Sequence, residues 1–256
     1  MAEIKNIAMR LMFDGARFHG WQVQKTETTV AGTLESALSR LCGHTVKIHG
    51  CGRTDAGVHA EQYCANFKTT SNLPPERLPL AANSLLPPDV AVSQAAYVPD
   101  AFDSNLSCIK KEYTYRIYNS RIRDPFYTNR VCFYPQKLDL NVMRQAAAHF
   151  VGTHDFAAVR SVGTVTKTTV RTVSWYEIED KGVFVELRVC ADGFLYNMAR
   201  AMAGTLIYVS EGKISHDDIP RLLEQKDRRL AGPTAPPGGL YLTRLWYDGE
   251  PGRMFT

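Results

Sequence analysis

Gly52-Arg53-Thr54-Asp55-Ala56-Gly57-Val58-His59-Ala60 sets one carboxylate, Asp55, in a loop punctuated by Gly50, Gly52 and Gly57. Glycines this close together open backbone conformations closed to other residues and let the chain approach a ligand. The apolar runs on either side, Val46 to Ile48 and Tyr63 to Phe67, read as strands. A carboxylate on a tight turn between two strands is held rigidly and aimed away from the core, which suits a nucleophile or general base. The same residues also suit an Asx-type turn in which Asp55 caps its own backbone. The loop alone leaves both readings open.

Outward from the loop the pattern is regular. Ile4 to Asp14 reads as a strand, followed by a loop carrying Gly15 and Gly20. Val30, Leu34, Ala37, Leu38 and Leu41 recur at helical spacing and predict a helix from about Val30 to Cys42. After the two strands flanking Asp55, Pro74-Pro75 opens a helix towards Leu86. Val90 to Val98 is the next strand. Strand, helix, strand, strand, helix, strand is the order of a split βαβ unit. The second half resembles it with insertions: a strand over Tyr113 to Tyr118 and a helix over Leu140 to Val151. A hairpin of Val170–Ile178 and Val183–Val189 turns at Asp180-Lys181-Gly182. An apolar helix over Phe194 to Val209 and a closing strand over Leu240 to Tyr247 follow. The Pro- and Gly-rich stretch from Arg228 to Gly239 reads as a loop. The expected architecture is α+β, with two split-βαβ (ferredoxin-like) units, antiparallel sheets, helices on one side and a cleft between the halves. The expected domains are 1–107 and 108–256.

The 256 residues suffice for a sizeable core without staples. No run is long enough for a transmembrane span, and Met1 to Arg10 does not read as a signal peptide, so the cytoplasm is the expected compartment. The six cysteines form no Cys-x-x-Cys pair, and the seven histidines show no zinc-type spacing with them. No metal site or disulfide framework is therefore expected, and Cys51 beside the loop reads as a packing thiol. The net charge of +4 is uneven: the part up to Ser107 carries −1 and the remainder +5. A basic half favours an anionic partner without specifying it.

Two further segments carry chemistry. The helix Phe194-Leu195-Tyr196-Asn197-Met198-Ala199-Arg200-Ala201-Met202-Ala203-Gly204 is apolar nearly all round, so it should be buried. An arginine inside such a helix calls for an anionic partner, or else snorkels to water. Asn197, Arg200 and Gly204 form one low, polar stripe, and Asp55 is the acidic candidate to face it. In Lys110-Lys111-Glu112-Tyr113-Thr114-Tyr115-Arg116-Ile117-Tyr118, Lys111, Tyr113 and Tyr115 share one strand face, while Arg116 and Tyr118 share the other. Arg121, Arg123 and Arg130 follow. Cations interleaved with tyrosines suit RNA, since cations meet phosphates while rings stack on unpaired bases. An ordinary strand with cross-strand tyrosine pairs has the same pattern.

Taken together, and in this order, these segments resemble the TruA family of tRNA pseudouridine synthases over about Phe13 to Leu245. Phe13-Asp14-Gly15, Phe18-His19-Gly20-Trp21-Gln22, Gly152-Thr153-His154-Asp155-Phe156 and Pro236 to Leu242 also look like family segments. The resemblance implies Asp55 as the catalytic aspartate and Arg53 as the side chain that helps displace the target base. It implies Tyr113 as the active-site tyrosine packed on the flipped uracil and Arg200 as the cation paired with the aspartate. Leu240 falls at the family's apolar pocket wall, and Lys110, Lys111 and Arg116 are the expected RNA contacts. His19, His59 and His154 are expected to pack or touch RNA rather than to react. A homodimer acting on uridines of the tRNA anticodon arm is implied, with no cofactor and no membrane. One departure stands out: where many members carry Ala-Arg-Phe, this chain has Ser104-Asn105-Leu106. Two alternatives remain open: a non-catalytic RNA-binding or RNA-folding protein, and a glycosidase or nucleoside hydrolase acting on a smaller substrate.

Overall fold

Residues 3–161 and 166–249 of the chain are described in a computed structural model. They fold as two compact units. One runs from the N-terminus through Ile109 and takes the chain up again at Leu242; the other spans Lys110–Tyr241. The C-terminal stretch from Leu242 groups with the first unit.

In the first unit, β1 (Lys5–Phe13), α1 (Val30–Cys42), β2 (Ile48–Gly50), β3 (His59–Thr69), α2 (Leu78–Asn83) and β4 (Val90–Val98) follow one another. The strand order is β4-β1-β3-β2, antiparallel throughout. α1 begins where Thr29 accepts from Gly32 N–H at 3.2 Å, which satisfies a donor the helix leaves unpaired. It ends at Gly43, whose φ of +71° suits glycine at the C-terminal cap. Its apolar stripe, Val30, Leu34, Ala37 and Leu38, is buried, as are Ile7, Met9, Leu11, Tyr63 and Phe67 of β1 and β3. At roughly 1.5–3 kcal/mol per large apolar side chain, this burial is the main support of the unit.

The second unit contains β5 (Lys110–Asn119), β6 (Cys132–Tyr134), α3 (Leu140–Ala148), β7 (Gly152–Asp155), β8 (Val170–Lys181), β9 (Phe184–Ala191), α4 (Met198–Ser210) and α5 (Ile219–Gln225). β10 (Leu240–Trp246) then carries the chain back into the first unit. β5-β9-β8-β7 pair antiparallel in that order, and β6 lies parallel to β5. The hairpin of β8 and β9 turns at Gly182, with φ +76°. The apolar helix begins later than its sequence pattern predicts. Asn197 takes a left-handed conformation (φ 61°, ψ 7°), so Phe194 to Asn197 form the turn leading into α4 and the helix starts at Met198. β6, β7 and α5 were not expected from the sequence.

Candidate active site

Asp55 lies in the connection between β2 and β3, where the sequence pattern put it. Val58 N–H donates to the Asp55 carbonyl at 3.2 Å and closes a turn whose third residue, Gly57, has φ +78°, as a type II turn requires. Around this turn the chain before α1 forms a clamp. Trp21 N–H donates to the Thr54 carbonyl at 3.1 Å, and Gly57 N–H donates to the Phe18 carbonyl at 3.2 Å. The Tyr63 hydroxyl donates to the Gly52 carbonyl. Trp21 stacks on Tyr63 at 4.2 Å between ring centroids, with Phe13 tilted against both.

The clamp is itself anchored, since Val30 N–H and Ala31 N–H of the first turn of α1 donate to the carbonyls of Gly20 and Trp21 (3.2 and 3.0 Å). Gly20, at φ +82°, approaches so closely that a Cβ would stand 2.6 Å from the Thr54 carbonyl oxygen. Gly15 likewise has no room for a Cβ beside the Val58 carbonyl, and its N–H donates to His59 Nδ1 at 3.1 Å. His59 is 2 % exposed and sits 3.1 Å from Asp14 Oδ1, so it packs and bonds locally, as expected. Arg53 is exposed, Asp55 half-buried and Cys51 fully buried. The loop is therefore a bonded mount on a buried aromatic base, with Arg53 exposed and Asp55 half-buried.

The second unit carries the other expected site residues. Tyr113 on β5 is buried and meets Phe194 edge-on at 4.9 Å. Tyr115, two residues on and on the same face, donates its hydroxyl to the Pro236 carbonyl at 2.8 Å, and burial pushes its phenol well above the ordinary value. Arg200 Nε donates to the Ala235 carbonyl at 2.8 Å, and its Nη1 donates to Asn197 Oδ1 at 2.8 Å. Asn197 Nδ2 in turn donates to Ser161 Oγ at 2.8 Å. The Asn197–Arg200 stripe expected from spacing is thus a bonded pair. Gly204, its third member, is where the loop before Ala235 packs: a Cβ there would overlap the Pro233 carbonyl. Gly232 N–H donates to Thr205 Oγ1 at 3.0 Å and closes the same contact.

Arg228 holds this loop from within. It donates to the Gly232 carbonyl at 2.7 Å and to Thr234 Oγ1 at 3.2 Å. The stretch read as a plain loop is therefore a tied scaffold for Arg200, and Arg228 is a residue that sequence reasoning missed.

The expected RNA contacts are disposed unequally. Lys110 Nζ lies 6.0 Å over the Trp175 ring, and Lys111 is half-buried. Arg116 is already engaged: Nε donates to Glu186 Oε1 at 3.1 Å and the guanidinium lies 4.2 Å over Tyr241. Leu240, at the start of β10, is buried. Near them Arg188 gathers Glu179 at 2.6 Å and the buried Glu112 at 3.1 Å, an ion cluster without a local sequence signal. The Ser104-Asn105-Leu106 departure also has a structural role. Ser104 is fully buried, donating to the His49 carbonyl at 2.6 Å and accepting from Tyr247 at 2.6 Å through its own carbonyl, while Leu106 is exposed.

The chain was then compared with known proteins. A family model described as tRNA pseudouridine synthase matches residues 9–105 and 146–248. A "tRNA pseudouridine synthase A" of Thermoanaerobacter sp. (strain X514) is 42% identical over 244 residues, covering 95% of this chain and 100% of the relative. Proteins of the same name from Caldicellulosiruptor bescii and Geotalea daltonii are 41% and 40% identical, each over 95% of this chain and 100% of the relative.

Proposed function

The chain belongs to the tRNA pseudouridine synthase family, and on that footing we propose that it isomerises uridines of the tRNA anticodon stem-loop, with Asp55 as the reacting carboxylate. The reaction breaks the N1–C1′ glycosidic bond, rejoins the base through C5, and sends the C5 proton to solvent while N1 gains one. A base inside a stacked stem must first be extruded. Arg53, exposed beside Asp55, is a planar cation suited to fill the vacated stack and hold phosphate. Asp55 then acts on the nucleotide as nucleophile or proton acceptor. Tyr113 and Arg200 are proposed as the other catalytic side chains. Lys110, Lys111, Arg116 and Leu240 are proposed as substrate contacts, Arg116 by exchanging its bond to Glu186.

The observation that carries the reading is the clamp on the Asp55 turn. A carboxylate on a mobile loop would gain little from position, whereas this one rests on a bonded, aromatic-backed support, the arrangement that positioning catalysis rewards. We read both units as split βαβ units, the first supported by its strand order β4-β1-β3-β2. A cytoplasmic homodimer whose reaction uses no cofactor or metal is part of the same proposal. No helix of the described residues is long and apolar enough to cross a membrane.

The test uses tRNA tritiated at uridine C5. Tritium release by the wild type, with none above background from Asp55→Asn, is the expected result. Equal release from Asp55→Asn would remove Asp55 from the chemistry.

A further inference from the structure

We propose a zinc site at the C-terminal end of α3, formed by His149, His216 and Asp217. The ligand atoms of the three lie within 4.8 Å of one another, each residue offering one, although His149 and His216 are far apart in the chain. His216 Nδ1 lies 3.2 Å from Asp217 Oδ1. In a tetrahedral zinc centre with bonds of about 2.0–2.1 Å, ligand atoms stand roughly 3.3 Å apart, so this pair already has the required separation. The proposal requires the His149 nitrogen, now within 4.8 Å of the other two ligand atoms, to close to the same separation.

The two imidazoles are half-buried and Asp217 is exposed. Their backbones are held from below: Phe150, next to His149, and Ile219, which opens α5, are both fully buried. His149 is also the C-terminal cap of α3, where the helix dipole adds partial negative charge that favours a cation. Two imidazoles and one carboxylate select a late first-row divalent ion over magnesium or calcium, which prefer oxygen donors. Three protein ligands leave the fourth position to water. The site belongs to the second unit, uses none of the residues assigned to pseudouridine chemistry, and ties the end of α3 to the segment before α5 while keeping one coordination position open. The absence of a Cys/His spacing signal is explained, since the ligands meet only through the fold.

The experiment is zinc binding to the untagged full-length protein, followed by calorimetry and by thermal unfolding, alongside His149→Gln, His216→Asn and a magnesium control. The expected result is one zinc equivalent that raises Tm in the wild type. Its affinity falls at least tenfold in each variant, and magnesium has no effect. The two variants keep a polar side chain of similar size, and their circular dichroism reports whether they fold. No zinc-dependent rise in Tm, or a rise undiminished in both folded variants, would overturn the proposal and assign any binding to other groups.

Discussion

Replacing Gly20 with alanine tests whether the clamp on the Asp55 turn is what positions the carboxylate. At φ +82° a Cβ carries the left-handed penalty of about 1–2 kcal/mol. The new atom would also stand 2.6 Å from the Thr54 carbonyl oxygen, against the 3.4 Å at which ordinary contact begins. The Thr54–Asp55 segment must therefore retreat by ~0.8 Å. Overpacking of this kind adds about 1–3 kcal/mol to the cost. Gly43→Ala is the control, for it has nearly the same φ, +71°, with nothing within 4 Å of its Cβ. It pays the strain alone.

At about 2–4 °C per kcal/mol for a chain of this size, Gly43→Ala should lower Tm by roughly 2–8 °C and Gly20→Ala by several degrees more. The two should part company in turnover. A misplacement of about 1 Å at a reacting group costs on the order of 10²-fold. Gly20→Ala should therefore lose about two orders of magnitude in kcat for tritium release at a temperature where it is fully folded, with tRNA affinity little changed, while Gly43→Ala keeps wild-type turnover. Turnover of Gly20→Ala within threefold of Gly43→Ala would refute the claim that the clamp sets the position of Asp55.

Other perturbations bear on the second unit and on pH. Arg200→Met removes donors to the Ala235 carbonyl and Asn197, and should cut turnover about 10²-fold while tRNA binding by filter assay stays within threefold. Arg200→Lys should not rescue it, because a lysine cannot reproduce the guanidinium's two directed bonds. Gly204→Ala drives a Cβ into the Pro233 carbonyl and should lower Tm by about 5 °C or more in calorimetry. The Arg188 guanidinium holds the Glu179 carboxyl below its ordinary range, so this contribution is present above the unfolded carboxylate pKa of about 4.3 and lost as pH falls through the lower folded value. Glu179→Gln should accordingly lower Tm at neutral pH, and the difference from wild type should vanish in acid melts.

The elements legible in the sequence were those with a regular local period. α1 was readable because Val30, Leu34, Ala37, Leu38 and Leu41 recur at helical spacing, and its ends prove to be Thr29, a capping hydroxyl, and Gly43, a left-handed terminator. α4 was misread at its start because Phe194, Leu195 and Tyr196 prolong the apolar pattern, and nothing in composition announces that Asn197 adopts φ 61°. β6 and β7 are short and gain their identity from pairing with β5 and β8, a distant interaction that leaves no local period. In the site, spacing picked out Asn197 and Arg200 as a pair, but Asn197 stands at the cap outside α4, and a side-chain hydrogen bond rather than a shared helical face joins them. That the Arg200 side chain donates to the carbonyl of Ala235 was not legible, because every residue has a carbonyl and only the fold selects one.

Both mounts use one device, the close approach of two backbones at glycine. At the Asp55 turn, Gly20 lets one backbone approach another closely enough for Trp21 N–H to reach the Thr54 carbonyl. At Arg200, Gly204 and Gly232 let the loop before Ala235 lie against α4, so that Ala235 both accepts from the Arg200 side chain and donates its N–H to the Arg200 carbonyl at 3.1 Å. The Asp55 mount uses no long flexible side chain, whose ordering would cost about 1.5–2 kcal/mol of entropy, whereas the Arg200 mount adds one, Arg228, bonded to the Gly232 carbonyl and Thr234. Backbone-to-backbone bonds in a tightly closed contact have no rotamers to lose. If Asp55 and Arg200 react as proposed, a support of this kind spares binding energy that would otherwise go into arranging them. Sensitivity to substitution should accordingly fall at Gly20, Gly204 and Gly232, where a Cβ would meet backbone atoms, and spare exposed positions such as Leu106.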